Sequence, residues 1–478
     1  MAAEGWSPTS WRSLPIKQQP KYADQEAVKI AVEKLRALPP LVARSEVDGL
    51  LEHLGECAAG RRFLLQGGDC AERFTDCTEQ HIVSQMRIIV QMSLVLVYRT
   101  GTPIVRVGRI AGQYAKPRSS DTETVEGFGE IASFRGDNVN TFEPDSRAPD
   151  PTRLVDGYFH SAATANFMRV ALKDGLADLR TAAEWDMGFV RNAARRNAYQ
   201  EMANKIVSSL GFIETCGLEL DPVLRSVDFF TSHEGLHLEY EEAMTSPARA
   251  ASAPASGQAA ASHYNLGAHF LWIGDRTRQL DHAHVEYFRG IANPVGVKVG
   301  PTTVPHELIT LIRRLWPDPA ATPGKITLIT RFGAEKVTAM LPPIIKAVQA
   351  AGLPVVWCCD PVHGNTYMST TGYKTRPFDK VIDEIKLCFE AHTSCGSRLG
   401  GVHLELTGDN VTECVGGPQN LPESDLPLRY TTYCDPRLNY AQSVEIAFLL
   451  AEHMVDNRAA VSQRASGDER SSKRSRCT

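Results

Sequence analysis

Short apolar runs alternate with longer segments of helical spacing along most of the chain. Several of the short runs are β-branched and bounded by Gly, Pro or Asp, which is typical of buried strands. The predicted strands span residues 62–66, 103–107, 227–230, 269–273, 294–299, 326–330, 355–359 and 402–406. Between them apolar residues recur at helical spacing, for example from Ile82 to Val97 after the candidate N-cap Thr78. This alternation predicts an α/β fold, a (β/α)8 TIM barrel.

Four segments are expected to lie outside the regular barrel pattern. Residues 1–60 form an N-terminal extension, and the stretch at about 151–217 has the pattern of extra inserted helices. Residues 246–262 are dominated by Ala and Ser, which predicts a flexible surface insertion. Residues 461–478 are polar and predict a disordered tail. The barrel is therefore expected within residues 61–460.

Composition narrows the class of protein. Hydrophobic residues make up 43% of the chain and charged residues 22%, which suits a globular protein with a large core. The formal net charge of −5 gives no electrostatic case for binding nucleic acid. The sequence has no run of about 18 apolar residues, so no membrane span is expected. The first residues lack the apolar core of a signal peptide. The 11 scattered cysteines favour reduced thiols in the cytoplasm over a disulfide framework.

The residues that follow the predicted strands include a set with metal-binding chemistry. Groups that carry out chemistry in a barrel lie at the carboxyl ends of its strands. The set contains one thiol, one imidazole and two carboxylates: Cys70, His363, Glu405 and Asp435. Mixed ligands of this kind suit a borderline divalent metal such as Mn, Fe, Co or Zn. A lone Cys or His is more often structural, but the shared position around one rim favours a metal site.

A second set at the same rim is cationic. Its members are Arg109, Lys116, Arg118, Arg276, Lys298 and Arg331. Several cations at one rim repel one another unless anions lie between them. The set therefore predicts phosphorylated substrates. The alternative for any one of these residues is an ordinary surface ion pair with a neighbouring acid.

At these residues the sequence resembles the type II 3-deoxy-arabino-heptulosonate-7-phosphate (DAHP) synthases of plants, fungi and bacteria. The matching stretches include LLQGGDCAE, VGRIAGQYAKPRS, TSHEGLHLEYE, WIGDRTRQLD, ANPVGVKVGP, DPVHGN, GYKTRPFD, GGVHLELTGDNVTECVGG and YCDPRLNYAQS. The resemblance covers about residues 6–456. It implies a shikimate-pathway transferase that joins phosphoenolpyruvate to erythrose 4-phosphate with a divalent metal, Mn²⁺ or alternatively Co²⁺. It also implies a homo-oligomer with aromatic amino acids as effectors.

The resemblance implies a role for each residue at the rim. Cys70, His363, Glu405 and Asp435 match the metal ligands. The phosphoenolpyruvate contacts are Arg109, Asp275, Arg276, Lys298 and Arg331, with Arg276 also assigned to the chemistry. The erythrose 4-phosphate contacts are Lys116, Arg118, Ser119, Lys374 and Arg376, with Lys116 or a bound water handling the alkoxide proton. Asp275 departs from the family, which usually has Glu at this position.

Two other functions are left open by the residues themselves. One is a synthase that adds phosphoenolpyruvate to a different sugar aldehyde, which a panel of substrates would reveal. The other is a non-catalytic regulatory paralogue, which would have lost metal ligands or phosphate-binding cations, although all of them are present. A separate expectation concerns Cys434, which directly precedes Asp435. If the metal site assembles, the sulfur of Cys434 should lie close to that of Cys70.

Overall fold

The computed structural model describes residues 5–176, 193–216, 227–247 and 262–474. Its centre is a closed barrel of eight parallel strands. The strands are β1 Phe63–Gly68, β2 Ile104–Arg109, β3 Phe229–Glu234, β4 Phe270–Ile273, β5 Val295–Val299, β6 Ile326–Thr330, β7 Val356–Cys359 and β8 Gly401–Glu405. Each strand pairs with its neighbours in sequence, and β8 closes on β1 with Glu405 opposite Gly68. The predicted (β/α)8 barrel is confirmed.

Three strands extend further at their carboxyl ends than the sequence pattern predicts. β1 ends at Gly68 instead of 66, β2 at Arg109 instead of 107, and β3 at Glu234 instead of 230. Glycine and polar residues usually indicate a loop, so the predicted strands end too early at these positions. Gly68 has a φ of +142°, and a Cβ there would lie 2.6 Å from the carbonyl oxygen of Arg109. Glycine is therefore required where the two neighbouring strands approach each other closely.

Eleven described helices surround and extend the barrel. They are α1 Gln25–Ala37, α2 Arg44–Ala58, α3 Glu79–Thr100, α4 Thr152–Lys173, α5 Ala193–Thr215, α6 Leu238–Ala243, α7 Ala283–Phe288, α8 Pro305–Leu315, α9 Val337–Ala350, α10 Phe378–Ser394 and α11 Tyr440–Arg474. Helix α3 begins as predicted, because the Thr78 side chain accepts a hydrogen bond from the amide of His81. Its length and apolar composition would allow a membrane span, but 67% of that window is buried inside the protein.

The segments outside the barrel agree with the sequence pattern only in part. Helices α4 and α5 lie in the predicted helical insertion, whose residues 177–192 and 217 are outside the described residues. Most of the predicted flexible insertion, residues 248–261, is also outside them. Helix α11 is described as far as Arg474. The disorder expected from residue 461 stays a prediction.

The side chains that point into the barrel change character along the strands. We call the amino-terminal end of the strands the base and the carboxyl end the rim. Near the base the interior is apolar, with Leu64, Val105 and Phe230 packed against Leu50 and Leu54 of α2. Because side chains on a strand alternate between its two faces, the residues two and four positions further along each strand also point into the barrel. Those positions carry Gln66, Val107, Arg109, Ser232 and Glu234, and β5 and β8 contribute Lys298, His403 and Glu405 at the same level.

Candidate active site and metal centre

A directed chain of hydrogen bonds crosses the middle of the barrel. Arg109 donates to His403 Nε2 over 2.6 Å, and His403 Nδ1 lies 2.8 Å from Gln66 Oε1. Gln66 Nε2 then donates to the Ser232 hydroxyl, which donates to the Gly108 carbonyl oxygen. Since Arg109 can only donate, His403 must carry its proton on Nδ1 and be neutral. Burial and the nearby charges of Lys298 and Arg109 likewise hold the pKa of His403 well below its usual value.

Three of the four predicted metal ligands converge directly above this chain. Cys70 follows β1, Glu405 ends β8, and Asp435 lies on the loop after the barrel. One ligand atom from each of the three residues lies within 4.8 Å of the others. Cys70 and Glu405 are fully buried, so their polar atoms are enclosed by protein. A thiol with two carboxylates is a donor set that fits a borderline divalent cation.

The fourth predicted ligand, His363, is held at the edge of this group by an acid that the sequence reasoning missed. His363 Nε2 lies 3.0 Å from Glu405 Oε1, and its Nδ1 lies 2.7 Å from Asp360 Oδ2. Asp360 also accepts the amides of Val362 and His363 and pairs with Lys298. A carboxylate on the far nitrogen fixes the ring orientation, as it does in many metal-bound histidines. Asp360 directly follows β7 within the motif DPVHGN, which was the available signal.

Three cations balance the charge of Glu405: Arg109, whose Nη2 lies 3.1 Å from Oε1, Lys116 and Arg376. Lys116 Nζ lies 3.0 Å from Glu405 Oε1 and 3.1 Å from Asp435 Oδ2. Arg376 donates to Glu405 Oε2 over 2.5 Å and also to the Pro436 carbonyl oxygen. Burial opposes the ionisation of Glu405, but His363, Lys116 and Arg376 outweigh it and hold its pKa well below the usual value. The Arg376 side chain is completely buried, so it supports a carboxylate instead of facing the cavity.

A second thiol, that of Cys434, lies close enough to Cys70 to perturb its pKa. Asp435 donates its amide to Cys70 Sγ over 3.2 Å. Burial, the Cys434 thiol and the charge of Glu405 all raise the pKa of Cys70 well above that of an ordinary thiol. The negative surroundings therefore favour a cation beside this sulfur.

A cavity of about 330 Å³ opens from this cluster towards solvent. It brings together most of the predicted substrate contacts. Those that line it are Lys116, Arg118, Ser119, Asp275, Arg276, Lys298, Arg331 and Lys374, together with the predicted ligands His363 and Asp435. Arg109 and Arg376 are buried beside Glu405 and donate hydrogen bonds to its carboxylate. Arg109 also donates to the carbonyl oxygen of Cys70.

Asp275 contacts two arginines, neither of which is its sequence neighbour Arg276. Its Oδ1 accepts from Arg278 Nε over 3.0 Å, and its Oδ2 lies 3.5 Å from Arg331 Nη1. Arg276, its neighbour in sequence, instead donates to Ser119 Oγ over 3.2 Å. Adjacent side chains on this turn point apart, whereas the side chain three residues later returns to the same side. The partners of Asp275 are therefore Arg278 and Arg331, and not its sequence neighbour Arg276.

Glu234 is a cavity-lining carboxylate that the sequence reasoning missed. It ends β3, is 9% exposed, and its Oε1 has no hydrogen-bond partner among the described residues. Burial raises the pKa of Glu234 above the ordinary value, although Lys116 and Lys298 oppose this. A Cβ on Gly274 would lie 2.0 Å from Glu234 Oε1, so the glycine leaves room for the acid. The early predicted end of β3, at residue 230, concealed it.

Comparison with known proteins identifies relatives along nearly the whole chain. Residues 6–451 match the class-II DAHP synthetase family. The phospho-2-dehydro-3-deoxyheptonate aldolase of Neurospora crassa is 50% identical over 458 residues, which cover 94% of this chain and 95% of that protein. The corresponding enzyme of Mycolicibacterium smegmatis is 49% identical over 444 residues, or 92% of this chain and 93% of that protein. A solved aldolase structure of the same name from Francisella tularensis aligns with a TM-score of 0.43 at 14% identity, covering 92% of this chain and 98% of that chain.

Proposed function

Because this chain belongs to the class-II DAHP synthetase family, we propose that it condenses phosphoenolpyruvate with erythrose 4-phosphate and depends on a divalent metal. The products are 3-deoxy-arabino-heptulosonate 7-phosphate and inorganic phosphate. The observation that carries the proposal is the convergence of Cys70, Glu405 and Asp435 beside a cavity lined by cations. This arrangement combines a metal-binding donor set with positive charge for two anionic substrates.

The metal would be held by Cys70, Glu405, Asp435 and His363. When bound, a divalent cation such as Mn²⁺ or Co²⁺ supplies Lewis-acid activation of a carbonyl group. The remaining work falls to residues of the chain. Lys298 lies on β5, and Arg331 directly follows the neighbouring strand β6, at the side of the cavity next to His363. They therefore suit the carboxylate and phosphate of phosphoenolpyruvate. Arg109 donates to the Glu405 carboxylate and to the Cys70 carbonyl oxygen beneath them.

The opposite side of the cavity suits the sugar phosphate. Lys116, Arg118 and Ser119 follow β2, and Arg276 reaches Ser119 from the loop after β4. A cation and a hydroxyl are the usual partners of a phosphate. Lys374 lies at the mouth of the cavity and pairs with Asp435, which places a further ammonium beside the bound aldehyde. These contacts would hold both substrates in the orientation that the bond-forming step requires.

In the reaction, C3 of phosphoenolpyruvate bonds to the aldehyde carbon, and water adds to C2 before phosphate leaves. Lys116 contacts two of the proposed ligands, so it can deliver a proton to the alkoxide that forms from the aldehyde. Glu234 and Asp275 both line the cavity as carboxylates near the cations. Glu234 is the better acceptor for the proton of the attacking water, because one of its oxygens has no protein partner among the described residues.

Removal and replacement of metal tests this proposal. Protein treated with chelator should lose DAHP formation, and Mn²⁺ or Co²⁺ should restore it. Cys70→Ser should lose most metal binding, measured by metal content after dialysis, because a hydroxyl is a much poorer ligand than a thiolate. Cys395→Ser, which changes a half-buried cysteine on the base side, is the matched control. Full activity of the stripped protein in chelator would disprove the metal requirement.

Substrate identity needs a separate measurement. A panel of sugar aldehydes with and without a terminal phosphate should show the four-carbon phosphate as the best acceptor of phosphoenolpyruvate. A better rate with another aldehyde would instead favour a synthase of different specificity. The cytoplasmic location, the homo-oligomer and the aromatic amino acid effectors stay predictions.

A further inference from the structure

The N-terminal arm, residues 6–22, packs against helices α6 and α7 and then reaches two of the loops at the rim. Trp6 donates to the Glu286 carbonyl oxygen, and Trp11 donates to Glu242 on the neighbouring helix. Between these anchors and Tyr22, which contacts His237, two consecutive glutamines point towards different loops. The arm is thus fixed at both ends, and the glutamines lie near its carboxyl-terminal end.

Gln18 contacts the loop that carries the proposed sugar-phosphate residues. Its Oε1 accepts the backbone amide of Arg118 over 2.8 Å. Its own carbonyl oxygen accepts from Arg135, whose carbonyl oxygen in turn accepts the amide of Lys116 over 2.8 Å. The turn from Lys116 to Arg118 is therefore held between Gln18 on one side and Arg135 on the other.

The backbone of Gln18 adopts a conformation that glutamine rarely takes. Its φ is +63°, in the left-handed region that favours glycine. A non-glycine residue persists there only when its surroundings fix it, and such outliers are often found near functional sites. The left-handed turn directs the side chains of Gln18 and Gln19 to different loops. Gln19 donates to the Leu236 carbonyl oxygen over 2.7 Å and accepts from the Leu238 amide.

We infer that Gln18 is a positioning residue that fixes the Lys116–Ser119 turn for the sugar-phosphate substrate. The inference rests on the proposed function, because it assigns that turn to erythrose 4-phosphate. Gln18 does not line the cavity; it acts through the amide of Arg118. Gln19 performs the equivalent task for the loop after β3, which begins at Gly235, directly after Glu234. The N-terminal arm therefore connects two neighbouring loops of the site, although it precedes the barrel in sequence.

Two substitutions at one position separate positioning from ordinary stabilisation. Gln18→Gly suits the left-handed backbone, so the folded protein should be as stable as the wild type or more so. It removes the acceptor for the Arg118 amide and should raise KM for erythrose 4-phosphate about three- to tenfold. Gln18→Glu keeps an acceptor oxygen at the same reach and should remain within about twofold of the wild type. KM for phosphoenolpyruvate should change less than about twofold in both variants.

Lys21→Ala is the control within the arm, because it removes only the exposed ion pair with Asp121. It should leave both KM values unchanged. If Gln18→Gly leaves KM for erythrose 4-phosphate unchanged, or raises both KM values equally, Gln18 is not a positioning residue for this substrate. The same conclusion would follow if Gln18→Glu raised KM for erythrose 4-phosphate as much as Gln18→Gly does. Wild-type protein without activity on erythrose 4-phosphate would instead refute the proposed function.

Discussion

The rim and the base of this barrel differ in chemistry although the same strands form both. At the base, Leu64 and Phe230 pack against the apolar face of α2. Further along the same strands, Gln66 and Glu234 occupy inward positions. The interior therefore excludes charge at one end and concentrates it at the other. A sequence period of two places each residue on the correct face, and the distance along the strand sets its polarity.

Buried charged side chains also have different partners at the two ends of the barrel. At the rim, Lys298 pairs with Asp360, and Glu405 has cations on two sides. At the base, Lys325 donates, among the described residues, only to the carbonyl oxygens of Ile291 and Asn293, and burial lowers its pKa to about 7. Burial lowers the pKa of Lys298 too, but the charge of Asp360 opposes that shift, and no such charge acts on Lys325. The rim can therefore present charge to substrates, and the base cannot.

The largest effect is expected from removing the buried ammonium at the rim. Lys298→Met keeps the length of the side chain and removes the charged contact that we propose for phosphoenolpyruvate. The loss should be about 1.5–3 kcal/mol, or roughly 10- to 100-fold in kcat/KM for phosphoenolpyruvate. Lys325→Met makes the same change at the base and should lower the urea midpoint of unfolding without affecting kinetics. Steady-state assays with each substrate varied distinguish the two, and a change confined to erythrose 4-phosphate would contradict the assignment of Lys298.

A smaller effect is expected at the acid that departs from the family pattern. Asp275 contacts Arg278 and Arg331 across the cavity, so its removal frees both guanidinium groups. Asp275→Ala should lower kcat/KM for phosphoenolpyruvate about tenfold, in line with a loss near 1.4 kcal/mol. Asp275→Glu restores the residue usual in the family and should stay within about threefold of the wild type. An unchanged kcat/KM in the alanine variant would reduce Asp275 to a surface acid.

The barrel and the residue types at its rim could be predicted from the sequence, but their partners could not. Apolar runs and helical spacing are local, so they identify strands and helices directly. Pairs such as Lys298 with Asp360, or Arg376 with Glu405, join residues on different strands and loops. Their pairing depends on barrel closure, which no local pattern contains. Arg376 was therefore assigned to substrate when it supports a carboxylate.

The same limit explains the missed carboxylate. Residues 231–234 at the end of β3 are polar, and a strand is usually predicted from apolar or β-branched residues. In a closed barrel these residues face neighbouring strands and find partners there, as Ser232 does with Gln66. If each predicted strand were extended for as long as alternate residues can point into the barrel, β3 would include Glu234.

Effects on the pH dependence of stability are expected from two histidines, half-buried His81 at the rim and buried His392 at the base. Burial opposes the charged form of His81, but the carboxylates of Asp409, 3.8 Å away, and Asp69, 3.0 Å away, outweigh it and raise its pKa to about 10. At the base, burial lowers the pKa of His392 to about 3. The stabilisation from His81 is therefore complete below its ordinary value of 6.5 and is lost as pH rises through about 10. His392 acts in the opposite sense, since folding becomes less favourable as pH falls from 6.5 towards about 3.

Replacing each histidine by glutamine should consequently change the pH dependence of stability in opposite directions. His81→Gln loses hydrogen bonds to charged groups, so it should be less stable than the wild type by about 1.5–3 kcal/mol near pH 6. That deficit should shrink towards pH 10, where the wild-type histidine loses its proton. His392→Gln should match the wild type near pH 8 and resist acid better near pH 5, because it no longer needs to stay neutral. Urea unfolding followed by tryptophan fluorescence across this range measures both differences. Parallel curves for the two variants would show that the ends of the barrel do not differ in how they hold charge.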